Sequence, residues 1–440
     1  MIKIFDYFLK NYRLYYQIGN IDINYGTNAE AKILIAKSIE DSFWDKMQDI
    51  DIKDVVWKEW KGVKIPYCFD KENDKDILTI DNGSIIINYD IVASTFYFLS
   101  GWNEYVNSKK DEFGRVAYKN SIIAQLKIGS IPVVNYYFDI LNDAISKIYG
   151  KREKALWDNR DFAVALTHDI DACKRAWLEG SYSELKKKHF LSIPKLIFKR
   201  FFLKDDWFNF KMISDLEKEF NATSSFYFLP RKGKINKWKN ADYNIKDKDI
   251  RKAIKMLKDS GHEIGVHGSF GTHISAEELK TDIDRLNSNV IGNRFHFLMF
   301  DLKKTVDVLE KCDIKYDTTL GFAEQVGFRR GTCYPFYLYD FLNGNCSDVL
   351  EIPLITMDAS LQNAKYMGLT PEEAFAPVKQ LIDEIIKFKG VFTILWHNTF
   401  FSAYKYTGWK DVYIEILEYC RKKNGLLTNG ETIYNSIIKK

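Results

Sequence analysis

The sequence predicts an α/β protein in two parts: a (β/α) barrel over residues 160–440, preceded by a smaller α+β domain over residues 1–155. Three observations lead there. From Phe162 onward, short β-rich runs alternate with helical runs, the pattern of successive βα units. The strands of that series number seven, which suits a barrel better than a small open sheet. Before residue 150 the order is different, with a hairpin signal followed by two helical runs, so this stretch needs a core of its own.

In the first part, Ile77–Ile80 and Ser84–Asn88 flank Asp81-Asn82-Gly83, a tight-turn sequence. Helical runs follow at Ile91–Tyr105 and Ile131–Ile148, and the charged, polar stretch Lys151–Arg160 marks the boundary. The barrel strands are expected at Phe162–Thr167, Thr223–Leu229, Glu263–His267, Arg294–Leu298, Lys315–Thr319, Leu350–Ile355 and Val391–Trp396. Helices are expected at Asp249–Asp259, Ala276–Leu286, Leu302–Glu310 and Pro371–Lys387, the last two capped by Asp301 and Thr370. A basic insertion at about 173–206 interrupts the alternation. It carries Lys174, Arg175, Lys186, Lys187, Lys188, Lys195, Lys199, Arg200 and Lys204 among Phe and Leu residues. It reads as an amphipathic helical insertion with a solvated basic face. Its functional reading is a lid, or a patch making peripheral contact with a membrane or an anionic glycan.

An apolar fraction of 46% with 28% charged residues is that of a folded chain. The 64 basic residues nearly balance the 60 acidic ones, which argues against nucleic acid as a partner. No apolar run approaches the roughly 18 residues of a membrane span. The first seventeen residues have no uninterrupted apolar core of a leader peptide, so a cytoplasmic location is expected. Six scattered cysteines with no C-x-x-C pair indicate neither a zinc ribbon nor a disulfide framework.

The chemistry gathers at strand ends. The buried-strand pattern Ala163–Thr167 runs into His168-Asp169-Ile170-Asp171. Residues i and i+2 of a strand share a face, so Asp169 and Asp171 meet at its mouth while His168 points elsewhere. Two carboxylates that close repel unless a cation or proton lies between them. The strand Glu263–His267 ends on a histidine, and Gly268 and Gly271 allow a turn that folds His273 back beside it. Asp171, His267 and His273 would then offer two imidazoles and a carboxylate to a divalent ion, zinc above all, with open positions for water and substrate. His262, five residues before His267, points to the opposite face. Arg294 and His296 share one face of their strand, and Arg294 could hold Asp169 by a forked hydrogen bond. His397, at the end of the last strand, stands where a general acid is wanted.

The ordered segments THDID, GHEIGVHGS, NRFHF, YDTTLGF, GFRRGTCYPF, LEIPL and ILWHN resemble the polysaccharide deacetylase (NodB-homology) superfamily. IINYDIVASTFYFLSGWNEY, KDEFGRVAYKNS and IPVVNYYFDIL look like the leading domain, of unknown function, of one of its branches. The resemblance implies a distorted (β/α) barrel acting on a carbohydrate, with loss of N-acetyl groups from a bacterial surface polysaccharide or its precursor. Carried onto this chain, it implies Asp169 as general base, Asp171 and His267 as metal ligands, Arg294 as anchor of the base and His397 as general acid. The chain departs from the family at the second histidine of H-x-x-x-H, where Gly271 stands. His273 is the first replacement and His296, which stands where the family has proline, the reserve. A second reading is a non-catalytic glycan-binding or scaffold protein on the same fold, supported by Gly271. A third, a non-haem iron oxygenase, fits βα alternation poorly.

Overall fold

The computed structural model describes residues 3–439 except 27–30, 72–73, 108, 187, 193, 195–196, 199–203 and 403. In the N-terminal part the hairpin forms where its turn sequence lies. Leu78–Asp81 and Ser84–Ile87 pair antiparallel, with Asn82 and Gly83 at φ 46° and 77°. That left-handed pair matches the twist of a two-residue loop. Ile23–Tyr25 and Ile33–Ile35 extend it to a four-stranded sheet through parallel pairing. The expected helix 91–105 is two helices, Ile91–Ser100 and Trp102–Val106, divided at Gly101. Gly101 sits at φ 75°, and a Cβ there would fall on the Arg330 guanidinium. Only glycine meets both demands.

The larger part is one ten-stranded sheet. Its strands are β1 (Phe162–Ile170), β2 (Ser225–Phe228), β3 (Glu263–Gly268), β4 (Gly292–Phe295), β5 (Tyr316–Asp317), β6 (Phe336–Asp340), β7 (Asn345–Glu351), β8 (Thr356–Met357), β9 (Val391–Leu395) and β10 (Gly425–Thr428). The order is β6-β7-β5-β4-β3-β2-β1-β9-β8, with β10 on β1. All neighbours are parallel except the hairpin β6–β7. No ladder among the described residues joins β6 to β8, so the sheet curls into a barrel that does not close. β1 is buried at all nine positions, as befits a strand covered on both faces.

Three strands beyond the expected seven take part. β8 has two residues and β10 four, too short for a periodic signal, and β6 returns antiparallel without a helix. The helices Ala276–Leu286 and Pro371–Lys387 form at their expected bounds, the latter with a Thr370–Glu373 capping box. The helix expected from Leu302 begins instead at Thr305. Asp301 closes the preceding turn, its carboxylate accepting from Lys303 N at 2.8 Å while Thr305 Oγ1 accepts from Asp301 N at 2.9 Å. In the insertion a helix spans Ala176–Lys186 and leaves Leu178, Tyr182 and Leu185 exposed. Lys187, Lys195, Lys199 and Arg200 lie outside the described residues.

The buried hydrophobic cluster is continuous from Ile4 to Ile437 and includes both parts. Polar groups also cross between them. On the helix Ile4–Tyr12 and just after it, Tyr7 donates to Tyr337 O (2.8 Å), Asn11 accepts from Tyr337 N (2.7 Å), and Tyr15 donates to Pro335 O (2.6 Å). Arg329 makes a two-pronged ion pair with Glu104 at 2.9 and 2.7 Å, both side chains nearly inaccessible. Burial would raise the Glu104 carboxyl, but Arg329 and Arg330 hold it down at about 2. This pair therefore stabilises the fold above the ordinary carboxyl value of 4.5 and loses that contribution as pH falls toward 2. Glu104→Ala leaves two buried guanidiniums without their counter-charge. It is expected to destabilise the protein by about 3–5 kcal/mol in urea unfolding at neutral pH.

Candidate metal centre

Parallel pairing brings the mouths of β1, β2, β3 and β4 side by side. β3 and β4 pair His267 with Arg294, so both point at the same level of the barrel. Asp169 is the penultimate residue of β1 and Asp171 the first beyond it, sharing a face as alternation requires. β4 stops at Phe295, and His296 opens a short 3-10 turn, His296–Leu298, in which Phe297 and Leu298 are left-handed (φ 59° and 54°).

Asp171, His267 and His296 offer one ligand atom each within 4.8 Å of one another. His267 Nε2 lies 3.3 Å from Asp171 Oδ1, and His296 Nδ1 lies 3.6 Å from it. The two imidazole nitrogens are 3.2 Å apart. Ligands about 2.1 Å from a tetrahedral ion stand about 3.4 Å from each other, so this triangle has the edges of one face of such a site.

The hydrogen bonds behind the rings select those atoms. His267 Nδ1 is 2.8 Å from Arg294 O, and His296 Nε2 is 3.0 Å from Lys239 O. A carbonyl can only accept, so both of these nitrogens carry hydrogen, and the neutral rings turn their lone pairs toward Asp171. Asp171 Oδ1 is buried and receives no hydrogen bond from the described residues. Two facing lone pairs beside an unpaired carboxylate oxygen are a donor set that fits a divalent cation. Burial would raise the Asp171 carboxyl, but His296, His267 and His397 hold it far below the usual range. Burial would lower His267, yet Asp169 and Asp171 keep it above its ordinary value, while burial takes His296 down to about 4.

Arg294 is fully buried and serves Asp169 with one N–H, not a fork. Nη1 donates to Asp169 Oδ1 and to Thr167 Oγ1, both at 2.9 Å. Nε and Nη2 donate to Thr318 O and Oγ1 at 2.9 and 3.0 Å. The Tyr227 ring lies 4.9 Å beneath the guanidinium. Asp169 Oδ2 is left facing His267 Nε2 at 3.6 Å. Across the mouth, His397 Nε2 stands 3.9 Å from Asp171 Oδ2, and its Nδ1 is bonded to Asp358 Oδ1 at 2.7 Å. Asp358 Oδ2 also accepts from His397 N at 2.5 Å. Burial would lower His397, but Asp358 first, then Asp171 and Asp169, raise it to about 9.

His273, the first-choice ligand from the sequence, does not join this set. Gly271, at φ 87°, turns the chain into the 3-10 segment Thr272–Ile274, and the His273 ring packs 6.2 Å from Phe295. It is buried, its Nδ1 has no hydrogen-bond partner among the described residues, and burial pushes it down to about 4. His296, the reserve, stands beside His267 and Asp171 instead. His262 and His168 do point away. They share a separate buried network in which Glu217 bonds His168 Nε2 at 2.8 Å and Ser224 at 2.6 Å, and Ser214 bonds His262 Nε2 at 2.9 Å. Sequence reasoning passed over Asp358, Thr167 and Thr318. Asp358 directly follows β8, and a carboxylate at a strand's C-terminal end was the signal that could have found it.

The cluster opens into a cleft of ≈ 570 Å³ lined by Asp171, His296, His397, Trp207, Trp238 and Tyr406 among others. Residues 4–150 match the family of unknown function DUF7033. No curated protein sequence matches the chain. Among solved structures, a candidate polysaccharide deacetylase from Mycobacterium smegmatis is 15% identical, covers 64% of this chain and 91% of its own, and has a TM-score of 0.41. The Puue allantoinase is 12% identical, with coverage of 66% and 94% and a TM-score of 0.42. A further candidate deacetylase, from Pseudomonas aeruginosa PAO1, is 11% identical, with coverage of 66% and 96% and a TM-score of 0.42. These likenesses are too distant to carry an argument about activity.

Metal content of tag-free protein separates the two histidines. His296→Ala is expected to lose stoichiometric zinc, and His273→Ala to keep it. Retention by His296→Ala with loss by His273→Ala would reverse the assignment.

Proposed function

We propose that this chain is a divalent-metal-dependent amide hydrolase of the polysaccharide deacetylase superfamily, removing N-acetyl groups from a carbohydrate. The observation that carries it is the placing of a possible Asp171–His267–His296 metal site between a carboxylate anchored by Arg294 and an imidazole anchored by Asp358. The carbohydrate substrate, and its place in a surface polysaccharide or precursor, rest on the sequence resemblance. We read residues 1–155 as the leading domain and 160–440 as the catalytic barrel.

A cation held by Asp171, His267 and His296, zinc in this reading, would supply Lewis acidity to the amide carbonyl and to water. Asp169 is the base. Arg294 occupies its Oδ1, so Oδ2 is the atom that takes the proton of the attacking water. His397 is the acid on the opposite side. With Asp358 on Nδ1, its Nε2–H points into the cleft and donates to the departing nitrogen. The amide C–N bond breaks, carboxylate is released and the sugar keeps its amine.

Two outcomes follow from this division of labour. Asp169→Asn keeps the shape but cannot take the proton, so acetate release from N-acetylhexosamine oligomers should fall by at least about 100-fold. Equal release by variant and wild type would remove Asp169 from the reaction. His397 is the useful acid only while protonated, below its raised value of about 9. Asp358→Asn removes the main raising charge. The alkaline limb of kcat/KM against pH is therefore expected to move down by at least about one unit.

A further inference from the structure

The third ligand of the proposed metal set, His296, is held from an unexpected direction. The turn Asp111–Arg115 belongs to the N-terminal part, within the segment of unknown function. It is closed on itself. Asp111 Oδ1 accepts from the backbone N–H of Phe113 and of Arg115, both at 2.9 Å, and Oδ2 accepts from Arg115 Nε at 2.9 Å. So fixed, Arg115 donates from Nη1 to Phe297 O at 2.5 Å, and its guanidinium lies 4.7 Å over the Phe113 ring. Phe113 stacks on Phe297, 4.7 Å between centroids and 22° between planes, and packs 4.5 Å from Trp238.

Those contacts converge on His296 from both sides. Phe297 follows it directly, and with Leu298 it adopts a left-handed backbone that non-glycine residues keep only where their surroundings impose it. Trp238 precedes Lys239, whose carbonyl takes the His296 Nε2 hydrogen and leaves Nδ1 free toward Asp171. The turn after the ligand and the acceptor behind it are therefore both packed against Phe113 or Arg115.

We propose that the Asp111–Arg115 turn positions His296 as the third metal ligand, with Arg115 as the positioning residue. The inference rests on reading Asp171, His267 and His296 as a metal site. It gives the N-terminal part a role in the chemistry: it completes the barrel's cation site from outside, touching neither substrate nor metal.

The test is zinc titration of the metal-stripped full-length protein. Wild type, Arg115→Ala, Arg115→Lys, His296→Ala and the Arg115→Ala/His296→Ala double variant are compared, with thermal unfolding of each apo-protein as the measure of fold. Arg115→Ala is expected to weaken zinc by about 10–100-fold, as loss of groups behind a ligand does. Arg115→Lys, which can still donate to the carbonyl, should recover part of the loss. The double variant should bind no more weakly than His296→Ala alone, because Arg115 acts only through that ring. Wild-type affinity in Arg115→Ala, or an equal loss with and without His296, overturns the proposal while leaving the metal site standing. Absence of zinc binding by the wild type overturns the metal reading and this one together. Should Arg115→Ala not fold, Phe113→Leu carries the same test: it keeps the Asp111–Arg115 pairing, and a several-fold weakening that vanishes in the His296→Ala background is expected.

Discussion

A buried guanidinium governs the centre of this molecule. Arg294 is wholly shielded from water, and a charge there is tolerable only if it is surrounded by hydrogen-bond acceptors and other partners. Three elements supply those partners: β1 through Thr167 and Asp169, the end of β5 through Thr318, and the Tyr227 ring of β2 beneath. The same residue's carbonyl receives the His267 hydrogen. One side chain thus fixes which oxygen of Asp169 is free, and its backbone fixes which nitrogen of His267 is free. Strand register, carboxylate orientation and imidazole tautomer are set together.

Local patterns carried much of this into the sequence. Period-two alternation placed Asp169 and Asp171 on one face because both lie on or beside a single strand. Helix bounds at Ala276–Leu286 and Pro371–Lys387 were readable because caps and apolar periodicity agreed there. The second nitrogen was not readable in the same way. Nearness in sequence favoured His273, six residues from His267, but His296 is brought in by the pairing of His267 with Arg294 across two strands. Register between parallel strands is a tertiary outcome, settled by side chains far apart in the chain. Asp358 escaped for a related reason, since the two-residue strand before it leaves no periodic trace.

Gly271 fits this arrangement. It has no side chain to offer, and its left-handed backbone (φ 87°) leads into the turn Thr272–Ile274, while the second ring comes from the turn that follows β4. The His296 nitrogen stands at the mouth of the neighbouring strand, just beyond its end, and the triangle of donor atoms has edges that a small cation can span. Asp358 performs for His397 what Arg294 performs for Asp169, so imidazole and carboxylate are each oriented by a buried partner of opposite charge.

The free edge of β6 has one more consequence. An unpaired strand exposes backbone donors and acceptors that invite a strand from another molecule. Here Tyr7, Asn11 and Tyr15 occupy Tyr337 O, Tyr337 N and Pro335 O, so side chains of the first helix and the residues just after it stand in for a missing strand. Cut away from its first 155 residues, the barrel would carry an adhesive rim, prone to self-association. The first helix is therefore more than a neighbour of the sheet: its side chains cover backbone groups at the rim of β6.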